Sequence, residues 1–439
     1  MVVFYFEDCF LDFVSAQPRL FLSFGRNNHR PLLFTKNISI RIVQQALQLL
    51  ITLAIARLTG PDGNGIFSLF ITDVSFFILL LGFCMESTII YFAAKNKIGL
   101  SEIISLLLPL LAIQAAVFFI VYAVSTLLFH HQFFQVNINQ PGVGWAFLFI
   151  FSSIACNYFT AFLSAKKIFF RIIVYNIIVQ LLFLAILIAG HYIYSYSFNI
   201  HILIGLYACI FLANGIIAAI LAFKSADEKI TFKNPLQILD KEMLKYTATA
   251  YVANILQFFA YRMDIWLMGH FQSKHDTGIY ALSSKIAQLW WLIPQFIALL
   301  LFPLTALDDE SISGKKFRRY MLYTIIGGSI AALIAIWAYP FFIDIIMGAA
   351  FNASYLPFIY LLPGVLLFSI NILLSARFAG KGNVLVNMQA SAICFVIILG
   401  LDIWLIPMKS SVGAAIASSV GYAASTLFLI IKYTKWVSK

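Results

Sequence analysis

Apolar residues in this chain come in long, almost unbroken runs separated by short polar punctuation. A run of about 20 apolar residues is what a helix needs to cross the hydrocarbon of a bilayer. Twelve such runs are read, over residues 38–58, 66–94, 103–129, 143–165, 168–195, 200–224, 246–270, 278–307, 318–347, 354–379, 384–406 and 412–432. The connections are short, none longer than about 22 residues. The pattern therefore predicts an all-α polytopic membrane protein of about twelve transmembrane helices. It leaves no room for a soluble catalytic or nucleotide-hydrolysing domain.

Composition agrees. Of the 439 residues, 62% are hydrophobic and 11% charged, whereas a soluble domain averages roughly 25% charged. The net charge of +11 does not form a nucleic-acid-binding surface. It falls in the connections. With the N-terminus placed inside, 23 of the 29 Lys and Arg lie on inner segments, while the outer ends hold only Arg57, Lys274 and Lys409. That asymmetry follows the positive-inside rule and predicts both termini on the cytoplasmic side. The cysteines Cys9, Cys84, Cys156, Cys209 and Cys394 form no close pair in sequence. They read as small core residues, with neither a disulfide framework nor a metal site.

Four regions are expected. Residues 1–36 form a cytoplasmic N-terminal extension, or mark a start codon placed too early. Residues 37–230 form a first six-helix bundle, 231–245 a cytoplasmic linker, and 246–439 a second bundle. The bundles read as an internal repeat. "GNGIFSLFITDVSFFILLLGF" from Gly63 aligns with "DTGIYALSSKIAQLWWLIPQF" from Asp276, so Gly65 falls on Gly278. The segments around Lys166 and Lys381 echo one another in the same way. Six spans separate the copies, an even number, so the bundles are parallel-related, a layout suited to alternating access around a central cavity. The stretch "TGPDGNG" is then the outer turn between the first two spans, closed by Pro61 and by Gly60, Gly63 and Gly65. It lacks the Lys and Ser/Thr that would finish a phosphate-cradling loop.

Charge within lipid is costly and calls for a reason. Arg262 and Lys285 lie on adjacent antiparallel spans at about the same depth. Neither has a charged counterpart in the first half. Both are candidates for substrate binding, with Arg377 and Arg41 as further cations. Arg377 is also close enough to an end to snorkel. Glu86, Asp73 and Asp264 are the carboxylates offered for ion coupling. Asp344 and Asp402 are expected near outer ends, capped by water. Asn254, Gln257, Asn371 and Gln389 are polar groups available to sugars, and Trp290 and Trp291 serve as stacking or interfacial aromatics.

The sequences "RLTGPDGNGIFSL", "RMDIWLMGHFQSKHDTGIYALSSKIAQLWWLIPQFIALLLFPLTA", "LLPGVLLFSINILLSARFAGKGN" and "WLIPMKSSVGAAIASS" resemble the Wzx-type lipid-linked oligosaccharide flippases of the MOP superfamily. The resemblance runs from about Asn37 onward. It implies a MATE-like arrangement of two bundles in the bacterial cytoplasmic (inner) membrane. The implied activity is inner-to-outer leaflet transfer of an undecaprenyl-diphosphate-linked oligosaccharide, such as an O-antigen or capsule repeat unit. A glycan polymerase and a chain-length regulator are the implied partners; no cofactor, metal or nucleic acid is. A cation-coupled drug antiporter of the MATE type is the alternative, with Asp73, Glu86 and Asp264 as its cation site. A glycan polymerase or ligase would need a large outer loop, and the stretch around His130 and His131 is too short.

Overall fold

The computed structural model describes residues 30–94, 99–128, 133–135, 142–166, 168–193, 198–225, 241–306 and 314–437. Most of the expected extension 1–36, most of the linker 231–245, and His130, His131, Lys95 and Lys97 lie outside the described residues. Every described element is helical. In chain order these are α1 (Arg30–Gly82), α2 (Met85–Ala94), α3 (Leu100–Leu128), α4 (Gly142–Ala165), α5 (Phe169–Ile188) and α6 (Ile200–Lys224). Then follow α7 (Lys241–Phe271), α8 (Lys274–Ala287), α9 (Leu292–Ala306), α10 (Gly314–Phe342), α11 (Tyr355–Gly380) and α12 (Val384–Val437).

Eight of the described helices are long and apolar enough to cross a membrane. Two of them, α1 with 53 residues and α12 with 54, are far too long for one crossing. At 1.5 Å per residue each would run for about 80 Å, against a hydrocarbon core of about 30 Å. Each is two spans joined by a single non-helical residue: Gly60 (φ 67°, ψ −176°) in α1 and Ser410 (φ 50°, ψ −132°) in α12. The turn at Gly60, expected on the outer side, is thus tighter than the sequence suggests. One glycine in left-handed space turns the chain, and Pro61, whose missing N–H is no loss at a helix start, opens the next helix directly. In α12 the Ile406 carbonyl near the break accepts from Gln272 Nε2 at 2.8 Å.

The second expected span is not continuous. It breaks between α1 and α2 at Phe83 and Cys84, both at positive φ (49° and 52°). Unwound backbone at membrane depth must find partners inside the protein. Here the carbonyls of Leu80, Leu81 and Gly82 accept from Tyr251 Oη (3.0 Å), Gln114 Nε2 (2.6 Å) and Tyr158 Oη (3.2 Å). Two polar residues that look anomalous in apolar runs, Gln114 and Tyr158, are explained by this break.

Chain contacts divide the described residues into two compact units, one of 30–58 and 69–255 and the other of 59–68 and 256–437. The second unit contains the break at Gly60 because the backbones there meet the start of α8. A Cβ on Gly65 would lie 1.9 Å from the Lys274 carbonyl oxygen, and one on Gly278 would lie 1.9 Å from that of Pro61. In each case the contacted carbonyl stands one turn ahead of the other glycine, so the approach is reciprocal. Asn64 Nδ2 donates to the Gly278 carbonyl at 2.7 Å and closes the joint. The two aligned glycines therefore sit against each other. Elsewhere large side chains such as Leu333 (69% exposed) and Trp337 (73%) on α10 remain uncovered, as a lipid-facing surface requires.

Gly65→Ala or Gly278→Ala must push two backbones apart, at an expected cost of about 1–3 kcal/mol. Gly400→Ala, where an added Cβ meets nothing within 4 Å, is the control. Thermal unfolding in detergent should show a clear loss for the first two and none for the third. Equal midpoints for all three would contradict the close approach.

Candidate functional site

The polar interior of the second unit is built on α7, α8 and the two arms of α12. Asp264 lies about seven residues before the end of α7, and Tyr280 about six after the start of α8. Asp402 and Ser418 lie about eight residues either side of Ser410. At 1.5 Å per residue all four sit at a similar depth, roughly 9–12 Å from their helix ends. They meet there. Tyr280 Oη donates to Asp264 Oδ2 at 2.5 Å and lies 3.1 Å from Ser418 Oγ. Asp264 Oδ1 accepts from the Ile265 backbone N–H at 2.7 Å. Asp264 is 3% exposed and Asp402 fully buried. The two carboxylates are within electrostatic reach of one another.

Asp402 is a correction. It was expected near an outer end, capped by water. The first arm of α12 instead runs through Pro407 to the break at Ser410, which carries Asp402 a full two turns inward. Both of its carboxylate oxygens are buried with no hydrogen-bond partner. Two buried carboxylates within electrostatic reach of one another repel and have lost their hydration. A proton or a bound cation must compensate them. Asp344, by contrast, is exposed, as expected.

Arg262 and Lys285 are also brought together. Both are half-buried, and they are close enough to act on each other electrostatically. Arg262 also reaches Asp264. Lys285 makes no hydrogen bond or ion pair with any described residue. Two like charges within reach of each other in a half-buried place repel one another.

The remaining candidates lie elsewhere. Trp291 is no stacking surface for a sugar and no interfacial anchor: it is 1% exposed, packs on Phe368 (5.1 Å) and Tyr422 (5.4 Å), and donates Nε1–H to the Val365 carbonyl. Trp290 donates to the Gly328 carbonyl. Asn371 is buried and bonded to Ser425 and Ser375, and Asn254 Nδ2 is spent on Cys84 Sγ. Gln257, half-buried, reaches Tyr261 Oη at 3.4 Å, and Gln389 is exposed. Arg377 sits at the far end of α11 among aromatic rings.

In the first unit, Asp73 is 3% exposed, and its Oδ2 accepts from the Phe134 N–H at 2.6 Å, tethering the turn at Phe133–Gln135. Glu86 lies in the first turn of α2, directly after the helix break, and acts electrostatically on Tyr158. Arg41 is half-buried on α1. Sequence reasoning also missed a buried chain in which Gln180 Nε2 donates to Gln48 Oε1 (3.1 Å) and Gln48 Nε2 donates to Tyr207 Oη (2.5 Å). Glutamines in otherwise apolar spans were its only sequence signal.

No family model matches the chain. A probable low-salt glycan biosynthesis flippase of Haloferax volcanii is 23% identical over 205 residues, a match that spans 46% of this chain and 42% of that relative. Among solved structures, the lipid II flippase MurJ in an inward closed conformation has a TM-score of 0.73 at 14% identity, over 92% of this chain and 87% of that one. An inward-facing multidrug resistance MATE family transporter of the MOP superfamily has a TM-score of 0.64 at 13% identity, over 90% and 94%. The chain is a multi-pass, all-α membrane protein whose fold is similar to that of MurJ and the MATE transporters.

Asp402→Asn removes a charge that no described residue compensates. The purified variant should unfold at the same temperature as wild type or higher. Asp264→Asn weakens the bond from Tyr280 and should cost about 1–3 kcal/mol. The reverse order of midpoints would show that Asp402 is held by a structural partner.

Proposed function

We propose that the chain is a flippase that carries an undecaprenyl-diphosphate-linked oligosaccharide from the inner to the outer leaflet of a bacterial cytoplasmic membrane by alternating access. The observation that carries this reading is the pairing of Arg262 and Lys285, two half-buried cations on neighbouring helices within electrostatic reach of each other. A diphosphate would bridge two cations placed this close together. Arg gives it planar two-point hydrogen bonding and Lys a mobile point charge. Arg41, on α1, is the cation we place first on the path of the incoming headgroup. Flippase activity in two similar proteins, one for a glycan pathway and one for lipid II, supports this choice over drug antiport.

Coupling is assigned to Asp264 together with Asp402. A cation or proton held between them neutralises the site, and its release leaves two buried anions near Arg262. Occupancy at the carboxylates thus alters the field in which the diphosphate sits. Glu86 is the second candidate in the first unit. Asp73 we assign to holding the turn at Phe134. The sugar identity, the O-antigen or capsule setting, and a polymerase and chain-length regulator as partners remain parts of this proposal.

The test is surface glycan in a strain lacking the chromosomal copy, with the membrane level of each variant measured. Arg262→Lys should impair export nearly as much as Arg262→Ala, by on the order of tenfold or more, because a charge-assisted pair contributes about 1.5–3 kcal/mol. Asp402→Asn should leave protein in the membrane but uncouple export from the ion gradient. Normal export by an Arg262→Ala/Lys285→Ala double variant would remove the anion site. Intact export with lost resistance to cationic dyes would replace this reading with the antiporter.

A further inference from the structure

Arg377 stands apart from the site above. It lies about nine residues beyond Phe368, roughly 13 Å further along α11. Its guanidinium carbon is 4.5 Å from the ring centre of Phe317, 5.5 Å from Tyr433 and 5.9 Å from Trp436. Phe317 belongs to the first turn of α10, and Tyr433 and Trp436 to the last turns of α12. Three helix ends thus converge on one cation. Phe317 is fully buried and Tyr433 nearly so.

The rings satisfy the faces of the guanidinium. They do nothing for its edge. Nε and Nη1 are both buried without a hydrogen-bond partner, and so is the Tyr433 hydroxyl. A Cβ on Gly314 would stand 3.8 Å from that hydroxyl, so the start of α10 packs beside it. An aromatic cage that fixes an Arg while leaving two of its N–H groups unsatisfied among the described residues is poorly explained as packing alone, because buried donors without acceptors are costly. Unsatisfied guanidinium N–H donors beside a hydroxyl suit phosphate oxygens.

We propose that this cluster at the helix ends binds a phosphate-bearing anion, supplied by the headgroup of an anionic phospholipid. The setting favours lipid over a free ion. The cluster lies at the ends of spans, with Tyr433 and Trp436 where aromatic residues mark the headgroup level. Arg318, Arg319 and Lys432 are exposed on the same helix ends, and a basic rim of this kind concentrates anionic lipid. The inference does not depend on what the transporter carries.

The experiment uses the full chain in neutral detergent. Phosphatidylglycerol, phosphatidylcholine and inorganic phosphate are titrated separately, and the shift in thermal-unfolding midpoint is read against each variant's own baseline. Phosphatidylglycerol should raise the midpoint saturably and phosphatidylcholine should not. Arg377→Gln should weaken the response on the order of tenfold or more. Arg377→Lys, which keeps the charge but not the planar edge, should lose most of it and serves if the Gln variant does not fold. An equal response to inorganic phosphate would support the phosphate site and name the free ion as its source. Equal shifts with both lipids, or a titration of Arg377→Gln or Arg377→Lys that overlays wild type, would overturn the proposal.

Discussion

A carboxylate taken out of water must be hydrogen-bonded, protonated or paired, and the second unit buries two of them together. Asp264 is partly provided for by Tyr280 and the Ile265 N–H. Asp402 is not. That imbalance makes the interior of this unit conditional on what occupies it. Arg262 bears on Asp264 and on Lys285 alike, so the charge state of the carboxylates and that of the two cations belong to one electrostatic system. A fold maintained only for rigidity would do better with apolar residues at these positions.

The scaffold holds those groups in place by backbone means. Single-residue breaks at Gly60 and Ser410 turn long helices back with no loop. The reciprocal contact of Gly65 and Gly278 fixes the start of α8, hence Tyr280 and Lys285. In the first unit, side chains of Tyr251, Gln114 and Tyr158 take up the carbonyls freed by the break at Phe83 and Cys84. Each device follows from the absence of water to satisfy exposed backbone in hydrocarbon.

Much of this was legible in the sequence, because hydrocarbon imposes length and apolarity on every span. The helices follow the apolar runs closely, and the proximity of Arg262 to Lys285 followed from depth counting on adjacent helices. Depth counting failed for Asp402 because the span was ended at residue 406, whereas the helix passes through Pro407 to Ser410. Hydropathy also could not distinguish Trp291 as core from an interfacial tryptophan, since both are aromatic residues near a span centre or end. The break at Phe83 carries no glycine or proline of its own beyond Gly82. It is visible only through partners distant in sequence. Tyr280 and Ser418 were missed because a lone hydroxyl in an apolar helix gives no hint of which carboxylate it faces.

The central claim is that the wild-type protein moves a lipid-linked anion across a bilayer. The direct measurement is reconstitution of the purified chain in vesicles that contain a fluorescent polyprenyl-diphosphate oligosaccharide, with outer-leaflet probe destroyed by an impermeant quencher. The account predicts protein-dependent exposure of inner-leaflet probe, and none for the same lipid bearing a neutral headgroup. Vesicles in which the protein leaves that probe in place, yet drives uptake of a cationic dye against an ion gradient, would contradict it.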